Sequence, residues 1–562
     1  MFSFMLVLVT NGLLLVSPKI LELVFDDFEK SITPRKVFLY ALLIFTVALG
    51  GGAILFAQRR IINGVARRIE YHLRNDFFTH LQKLSAAYYN RVDTGDLMAR
   101  ATSDINAVRM VLSNAIMFTA DGIVFFAMAF VIMLRIDATL TLLAVLPYPI
   151  LALLIRELGK RIYRSYERIQ ESFSTMNTKL QENLSGVRVV KAYTLEKSEI
   201  DKFRDLNRTF VDRNRAQIRL FSVFFPLFRC LPGIGHVALL YLGGIRVIEG
   251  QITFGEFVAL LAYLILLVRP MIRLGFVVNA FERGAASMER ISKILDEQPE
   301  IYDGVNARHG IEAIQGGIEF RNLSFSYPDG TPVLKNINLK VDRGQTVAIV
   351  GPTGCGKTTL VNLIPRLYEA DRGTIFIDGV DVQDIPLHVL RSNIGVVEQE
   401  PFLFSGTLRN NIAYGAENAG GAEVNGVVRI ADLQEQMEEF PDGLDTYLGE
   451  RGITISGGQR QRTALARAIA IHPKILILDS AFANVDTHTE DIILNRLKEV
   501  MENRTTIVIS HRISTVKSAD LIIVMKNGEI VERGTHDTLL KRNGIYTGIY
   551  DKQLLQEELD SL

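Results

Sequence analysis

Thr346-Val-Ala-Ile-Val350-Gly351-Pro-Thr-Gly-Cys-Gly356-Lys357-Thr358-Thr359 is the stretch on which the reading of this 562-residue chain turns. An apolar, β-branched run feeds directly into G-x-x-x-x-G-K-[ST], in the order strand, loop, helix that a phosphate-binding loop needs. Gly351, Gly354 and Gly356, with Thr353 and Cys355 between them, let backbone N–H groups and a helix N-terminus surround phosphate oxygens. Lys357 adds a cation, and the hydroxyls of Thr358 and Thr359 follow, Thr358 placed to ligate a magnesium ion.

Working outward, Ile475-Leu476-Ile477-Leu478 reads as a buried strand ending in Asp479, whose carboxylate can hold the same magnesium, usually through water. Two more strand-like runs, 394–397 and 506–510, lead to Gln399 and His511. A doubly wound sheet collects its ligand groups at such strand ends. From about Gly317 short β-rich runs, glycine turns and helices alternate, as an α/β nucleotide-binding domain requires. The polar, irregular stretch 296–316 marks a linker, which leaves 1–295 as one domain and 317–562 as the other.

The first domain has another texture. Six apolar stretches, about 1–25, 37–58, 115–134, 138–155, 220–245 and 257–281, each approach the roughly 20 residues that span a bilayer. The first lacks a basic leader and an A-x-A-like site before Pro18 and Lys19, which excludes a cleavable signal peptide. It starts abruptly, as though a segment preceded it. Residues 59–112 carry nine Lys and Arg and 156–219 carry fifteen, against three in 26–36 and one each (Arg135, Arg246) in the remaining connections. Both long loops, both termini and the second domain are therefore cytoplasmic. Apolar residues recur at helical spacing through these loops, so they read as helices running past the bilayer, with Gly95 and Gly186 as turns at their tips.

Asp121, Arg229, His236, Arg269 and Arg273 fall inside apolar spans. Each is a candidate for a water-filled lining or for snorkelling to an interface. Arg269 and Arg273 share a helix face, with Pro270 between them able to kink the helix. Lys and Arg total 62 and so do Asp and Glu, which argues against a chain that coats nucleic acid. Hydrophobic residues make up 48%, and the mean hydropathy of +0.20 is high for a soluble enzyme. The two cysteines, Cys230 and Cys355, lie too far apart in sequence and setting to imply a disulfide framework.

Between the phosphate loop and Asp479 stands Ile455-Ser456-Gly457-Gly458-Gln459-Arg460-Gln461-Arg462, a glycine-bearing helix start that Ser456 can cap. With this element the chain resembles the ATP-binding-cassette (ABC) exporters over its whole length. The resemblance implies that Ser456, Gly457, Gly458 and Gln459 meet the γ-phosphate of an ATP held by the other subunit. It implies that Tyr327 stacks on adenine, that Gln399 senses Mg²⁺ and the membrane domain, that His511 contacts the γ-phosphate, and that Asp486 lies at the subunit interface. TYLGERG at 446–452 is similar to the exporter-type segment beside the signature, and 94–105 and 186–196 to the two coupling segments.

One departure stands out. Most active members have Glu after the magnesium Asp, and here the residue is Ser480. A hydroxyl cannot serve as general base at neutral pH, so this chain's own ATP site is expected to be impaired. A natural serine and an engineered replacement of glutamate read alike.

The expected fold is an all-α six-helix transmembrane domain with long cytoplasmic helical extensions, followed by an α/β P-loop nucleotide-binding domain. The expected function is ATP- and Mg²⁺-dependent export of amphipathic small molecules, drugs or lipids across a bacterial cytoplasmic (inner) membrane. The expected partner is a second half-transporter, a different chain with an intact catalytic Glu, with membrane lipid around both and no nucleic acid. The alternative is a nucleotide-binding regulatory or gating membrane subunit.

Overall fold

Six helical segments among the described residues are long and apolar enough to cross a membrane: Met5–Lys30, Pro34–Leu81, Thr94–Ile136, Ala138–Ser185, Glu196–Ile248 and Phe254–Leu295. They match the six expected spans, and most continue well beyond the roughly 20 residues a bilayer needs. The computed structural model describes residues 2–30, 33–305, 307–328, 330–416, 420–449, 455–510 and 512–560. It divides into two units, Met1–Thr79 with Gly95–Glu297, and His80–Thr94 with Gln298–Leu562.

In chain order the helices are α1 (Phe2–Lys30), α2 (Pro34–Leu81), α3 (Ala86–Arg91), α4 (Thr94–Ala99), α5 (Ile105–Met110), α6 (Ile116–Ile136), α7 (Ala138–Val145), α8 (Pro147–Ser185), α9 (Val187–Ala192), α10 (Glu196–Ala238), α11 (Gly244–Ile248) and α12 (Phe254–Leu295). Single π-helical turns at Arg100–Asp104, Val111–Ala115 and Leu239–Gly243 join α4 to α5, α5 to α6, and α10 to α11. Each such turn holds one residue more than an α-turn and rotates everything after it about the helix axis.

The core of the first unit gathers Leu15, Phe125, Met133, Tyr148, Leu260, Tyr263 and Leu264. Two buried hydroxyls each find a carbonyl on another helix: Tyr148 donates to Leu264 at 2.8 Å and Tyr263 to Leu15 at 2.9 Å. Asp137 caps α7 by accepting from the Leu140 N–H at 2.8 Å, and Arg246 pairs with its other oxygen. Thr253 and Glu256 form a capping box at the start of α12, where the Asp26 carboxylate also accepts from the Gly255 N–H at 2.9 Å. By contrast α2 turns almost all of its surface outward, with 6% of its most apolar window buried.

The two loop tips differ from the expectation in detail. Gly95 lies inside α4; the helical run breaks first between Leu81 and Ala86, where Ser85 is extended (φ −73°, ψ 161°), and again at Val92 (φ −117°, ψ 129°). Gly186 does end α8, and the left-handed residue of that tip is Thr194 (φ +52°). Glu199 holds this hairpin together, accepting from Lys179 at 2.6 Å, Lys202 at 2.7 Å and Asn183 at 3.0 Å.

The second unit contains a sheet of order β2-β1-β4-β5, formed by β1 (Ile318–Ser326), β2 (Pro332–Val341), β4 (Ile375–Ile377) and β5 (Val380–Asp381). Its larger sheet takes β3 (Thr346–Val350), β6 (Ile394–Val397), β9 (Ile475–Asp479), β10 (Thr505–Ile509), β11 (Leu521–Lys526) and β12 (Glu529–Gly534), in the order β12-β11-β3-β10-β9-β6. A two-stranded ribbon pairs β7 (Gly406–Thr407) with β8 (Tyr447–Leu448). Strands β11, β3, β10, β9 and β6 run parallel, and their near-continuous apolar sequences fit a sheet covered on both faces. The stretch His80–Thr94 belongs to this unit: Ser85 donates to Glu300 at 2.9 Å, and Asn90 donates to the Tyr368 hydroxyl at 2.7 Å.

Helices α7 and α10 approach so closely that a Cβ on Gly235 would lie 2.4 Å from the Ala144 carbonyl oxygen, whereas one on Gly233 would meet nothing within 4 Å. Gly235→Ala is therefore expected to destabilise the protein by about 1–3 kcal/mol through overpacking. Gly233→Ala should be neutral or gain up to about 1 kcal/mol from helix propensity. Thermal unfolding of the two variants in detergent checks the contrast, and equal midpoints would reject it.

Candidate functional site

Four parallel strands set the site, because their C-terminal ends finish level. Ile349 of β3 pairs with Ile509 of β10, Ile509 with Asp479 of β9, and Leu478 with Val397 of β6. The loop after β3, the carboxylate of Asp479, Ser510 and the segment carrying Gln399 therefore emerge at one edge. His511 lies outside the described residues. Its neighbour Arg512 is anchored by donating to the Val485 carbonyl at 2.9 Å and by pairing with Glu490. Glu490, 1% exposed, also accepts from Thr515.

After β3 the glycines adopt backbone angles that side chains resist, with φ +153° at Gly351, +80° at Gly354 and +100° at Gly356. A Cβ on Gly351 would sit 2.2 Å from the Met525 carbonyl oxygen, so the loop hugs its own sheet at that point. Lys357 is buried, and its ammonium is held by the carbonyls of Gly351 at 2.9 Å and Pro352 at 3.0 Å, with the Cys355 sulfur at 3.9 Å. Thr353, Gly354 and Thr358 face outward. Thr359 turns inward and shares a 3.0 Å hydrogen bond with the Tyr327 hydroxyl. Tyr327 stands edge-on to Tyr368 (5.2 Å, 84°) and to Phe325 (5.3 Å, 81°), which fixes its ring beside the loop.

Asp479 is 4% exposed, and Ser480 follows it in the left-handed conformation (φ +50°), its N–H bound to the Ile509 carbonyl at 2.9 Å. Holding a non-glycine residue there costs on the order of 1–3 kcal/mol and fixes where its side chain leaves the backbone. Gln461 explains how the turn is kept. Fully buried, it donates to the carbonyls of Ser480 at 3.3 Å and Gln399 at 3.4 Å, and accepts from the Asn484 N–H at 2.9 Å. The sequence placed Gln461 in the signature without a role, and its position in that motif was the only signal.

The signature forms a second surface. Ser456 caps the helix Gly457–Ala470 in a capping box with Gln459, accepting from its N–H at 3.2 Å and donating to its side chain at 2.8 Å. Beside it opens a cavity of about 400 Å³ lined by Ser456, Gly457, Gly458, Arg460, Arg462 and Asp486, with Asn484 and Val485. None of these described lining residues belongs to the loop after β3. A Cβ on Gly458 would stand 2.8 Å from the Asn484 carbonyl oxygen, so only glycine leaves the floor clear. Asp486 caps the helix Thr487–Met501 through the Thr489 N–H at 2.9 Å, and that bond holds its carboxyl below the usual range. Burial pushes the Arg462 guanidinium down. The adjoining residues 450–452 lie outside the described ones.

Of the charges within the spans, Arg273 pairs with Asp121 at 2.8 Å and lies 4.8 Å over the Phe118 ring. Arg229 and Arg269 are exposed, and His236 Nδ1 is 2.9 Å from the Pro232 carbonyl of its own helix.

A family profile described as "ABC transporter transmembrane region" matches residues 1–271, and one described as "ABC transporter" matches 334–483. The chain is 38% identical to an ATP-dependent lipid A-core flippase of Syntrophus aciditrophicus (strain SB), across 92% of this chain and 86% of that protein. It is 33% identical to the multidrug resistance-like ATP-binding protein MdlA of Escherichia coli (strain K12), across 99% and 94%. Among solved structures, a bacterial Atm1-family ABC exporter with ATP bound superposes with a TM-score of 0.79 and 28% identity, covering 98% of this chain and 97% of that one.

Lys357→Ala removes the cation from the loop after β3. A charge-assisted contact of about 1.5–3 kcal/mol corresponds to a 10- to 100-fold loss in affinity for ATP. Photolabelling of this chain with an azido-ATP checks it; undiminished labelling would show that Lys357 does not face the phosphates.

Proposed function

The chain belongs to the ABC transporter family as an exporter half-transporter, and from that premise we propose that it uses ATP to move amphipathic drugs or lipids out of a bacterial cytoplasmic membrane, paired with a different half-transporter. Its membrane domain occupies 1–295 and its ATP-binding domain 317–562, joined by 296–316. The nucleotide sits on the loop after β3. Tyr327 stacks on adenine, backbone N–H groups of 351–359 and the Lys357 ammonium take the phosphates, and Gln399 and His511 approach the γ-phosphate.

Magnesium fits this edge. No group of three or more His, Cys, Asp or Glu side chains gathers among the described residues, so the ion would take Thr358, Asp479 and Gln399 from the protein and the rest of its shell from phosphate and water. When bound, it neutralises charge that develops on the phosphates.

The observation that carries the pairing is that the signature cavity, lined by Ser456, Gly457 and Gly458 beside the capping Gln459, includes none of the phosphate loop of its own chain, so these residues stand to complete an ATP site held by another subunit. Ser480 supports an unequal pair. It leaves the end of β9 where a carboxylate base would stand, and a hydroxyl there neither accepts a proton at neutral pH nor orients attacking water by charge. This chain's own ATP is held and cut slowly, while its signature serves the partner's competent site.

The same Ser480 favours one second reading, a regulatory or gating subunit that binds nucleotide without pumping. ATP hydrolysis by the isolated complex together with ATP-dependent uptake of ethidium or a fluorescent phospholipid into inverted vesicles separates the two; nucleotide binding with neither activity selects the second.

The division of labour gives an asymmetric expectation. Gly458→Asp should abolish nearly all turnover, because its side chain meets the Asn484 carbonyl and sets a negative charge against the partner's γ-phosphate. Ser480→Ala should leave turnover near its starting rate, and Ser480→Glu should raise it slightly at most. Loss of activity in Ser480→Ala, measured as phosphate release by the purified complex, would make Ser480 catalytic and end the impaired-site reading. A fully active homodimer of this chain would end the unequal pairing.

A further inference from the structure

We propose that Asp104, Ser287 and Arg290 form a coupling lock, which makes the two helical routes out of the membrane unit move as one body when nucleotide binds. The inference rests on the ATP-driven reading above and deepens it. The chain passes between its two units after Thr79, after Thr94 and after Glu297. Asp104 follows the second crossing by less than three helical turns, and Arg290 precedes the third by about two. The lock therefore ties together the cytoplasmic ends of two elements that some 180 residues of intervening chain separate in sequence.

Its geometry is that of a rigid joint. Arg290 Nε donates to Asp104 Oδ2 at 2.8 Å while Nη2 donates to Oδ1, a two-pronged pair. The Ser287 hydroxyl donates to the same Oδ1 at 2.9 Å and accepts from Arg290 Nη2 at 3.1 Å, closing a ring of three side chains. Asp104 is 8% exposed and Ser287 2%, so breaking the joint strands a buried carboxylate.

The surrounding packing is equally intolerant of sliding. One turn earlier on α12, a Cβ on Gly284 would fall 2.2 Å from Val111 Cγ2, and Ile105 and Ile291 beside the ring are fully buried. Asp104 itself closes the π-helical turn Arg100–Asp104, whose extra residue rotates the helix at that point. Arg109 extends the joint to a third element by reaching Glu70 of α2 at 3.4 Å, where Arg67 and Arg74 also bind.

A positional role and a merely stabilising one part company in Asp104→Asn, which keeps shape and the Ser287 contact but loses the charge. Amide hydrogen exchange on the complex, with and without ATP and vanadate, follows 96–110, 284–295 and the loop 351–359. In the unaltered protein all three segments should change protection with nucleotide. In Asp104→Asn the loop should keep its response while the concerted response of the two helical segments is lost in at least one. Both segments still responding together would overturn the lock, and so would loss of the loop's response along with theirs. If Asp104→Asn does not assemble, Arg290→Lys, which keeps the charge without the fork, is read by the same criteria. Absence of any nucleotide response in the unaltered protein would overturn the ATP-driven reading instead.

Discussion

Hydrocarbon offers a peptide group nothing to bond with, and most of this structure follows from that. Every backbone donor and acceptor inside a bilayer must be paired within its own segment or by a neighbour, which leaves helices as the form for apolar runs like these. A helix cannot bend to do chemistry, so these continue far past the membrane, where polar side chains are cheap and ATP is dissolved. The helices still need shape. Prolines at 18, 226, 232 and 270 and three π-helical turns lie within them, features at which helices bend.

One pair of polar side chains inside the spans shows the same pressure. Asp121 and Arg273 satisfy one another, and Phe118 presents its ring face to the guanidinium. The second unit solves the opposite problem. It must hold polar groups open for a ligand, and it does so at the rim of a sheet whose strands are mostly apolar. Gln461 lies buried inside that rim: one amide meets three backbone groups in two loops, so the segments carrying Gln399, Ser480 and Asn484 cannot shift independently.

Legibility from sequence followed the range of the interaction. The six spans and the loop at 351–359 could be read because their physics is local: apolar length in one case, glycine and lysine spacing in the other. Gly95 misled because a glycine tolerates the first turn of a helix as readily as a break, and the breaks lie at 82–85 and at Val92 and Asp93. The placement of 80–94 was missed, since Asn90 meets Tyr368 across 278 positions and no periodicity records that. The ring of Asp104, Ser287 and Arg290 was invisible for the same reason. Asp104 reads as one more charge in a basic loop until the π-helical turn aims it at α12. Arg273 was legible as an oddity, and its partner Asp121 was named beside it, but the pairing needed the helices in place.

The outward-facing α2 carries a consequence for biogenesis. Only 6% of its most apolar window is covered by its own chain, so this helix gains little from neighbours made later. A ribosome could release it into the lipid as an independent hairpin with α1, before a single residue of the nucleotide-binding fold exists, and it would already be stable there by transfer free energy alone.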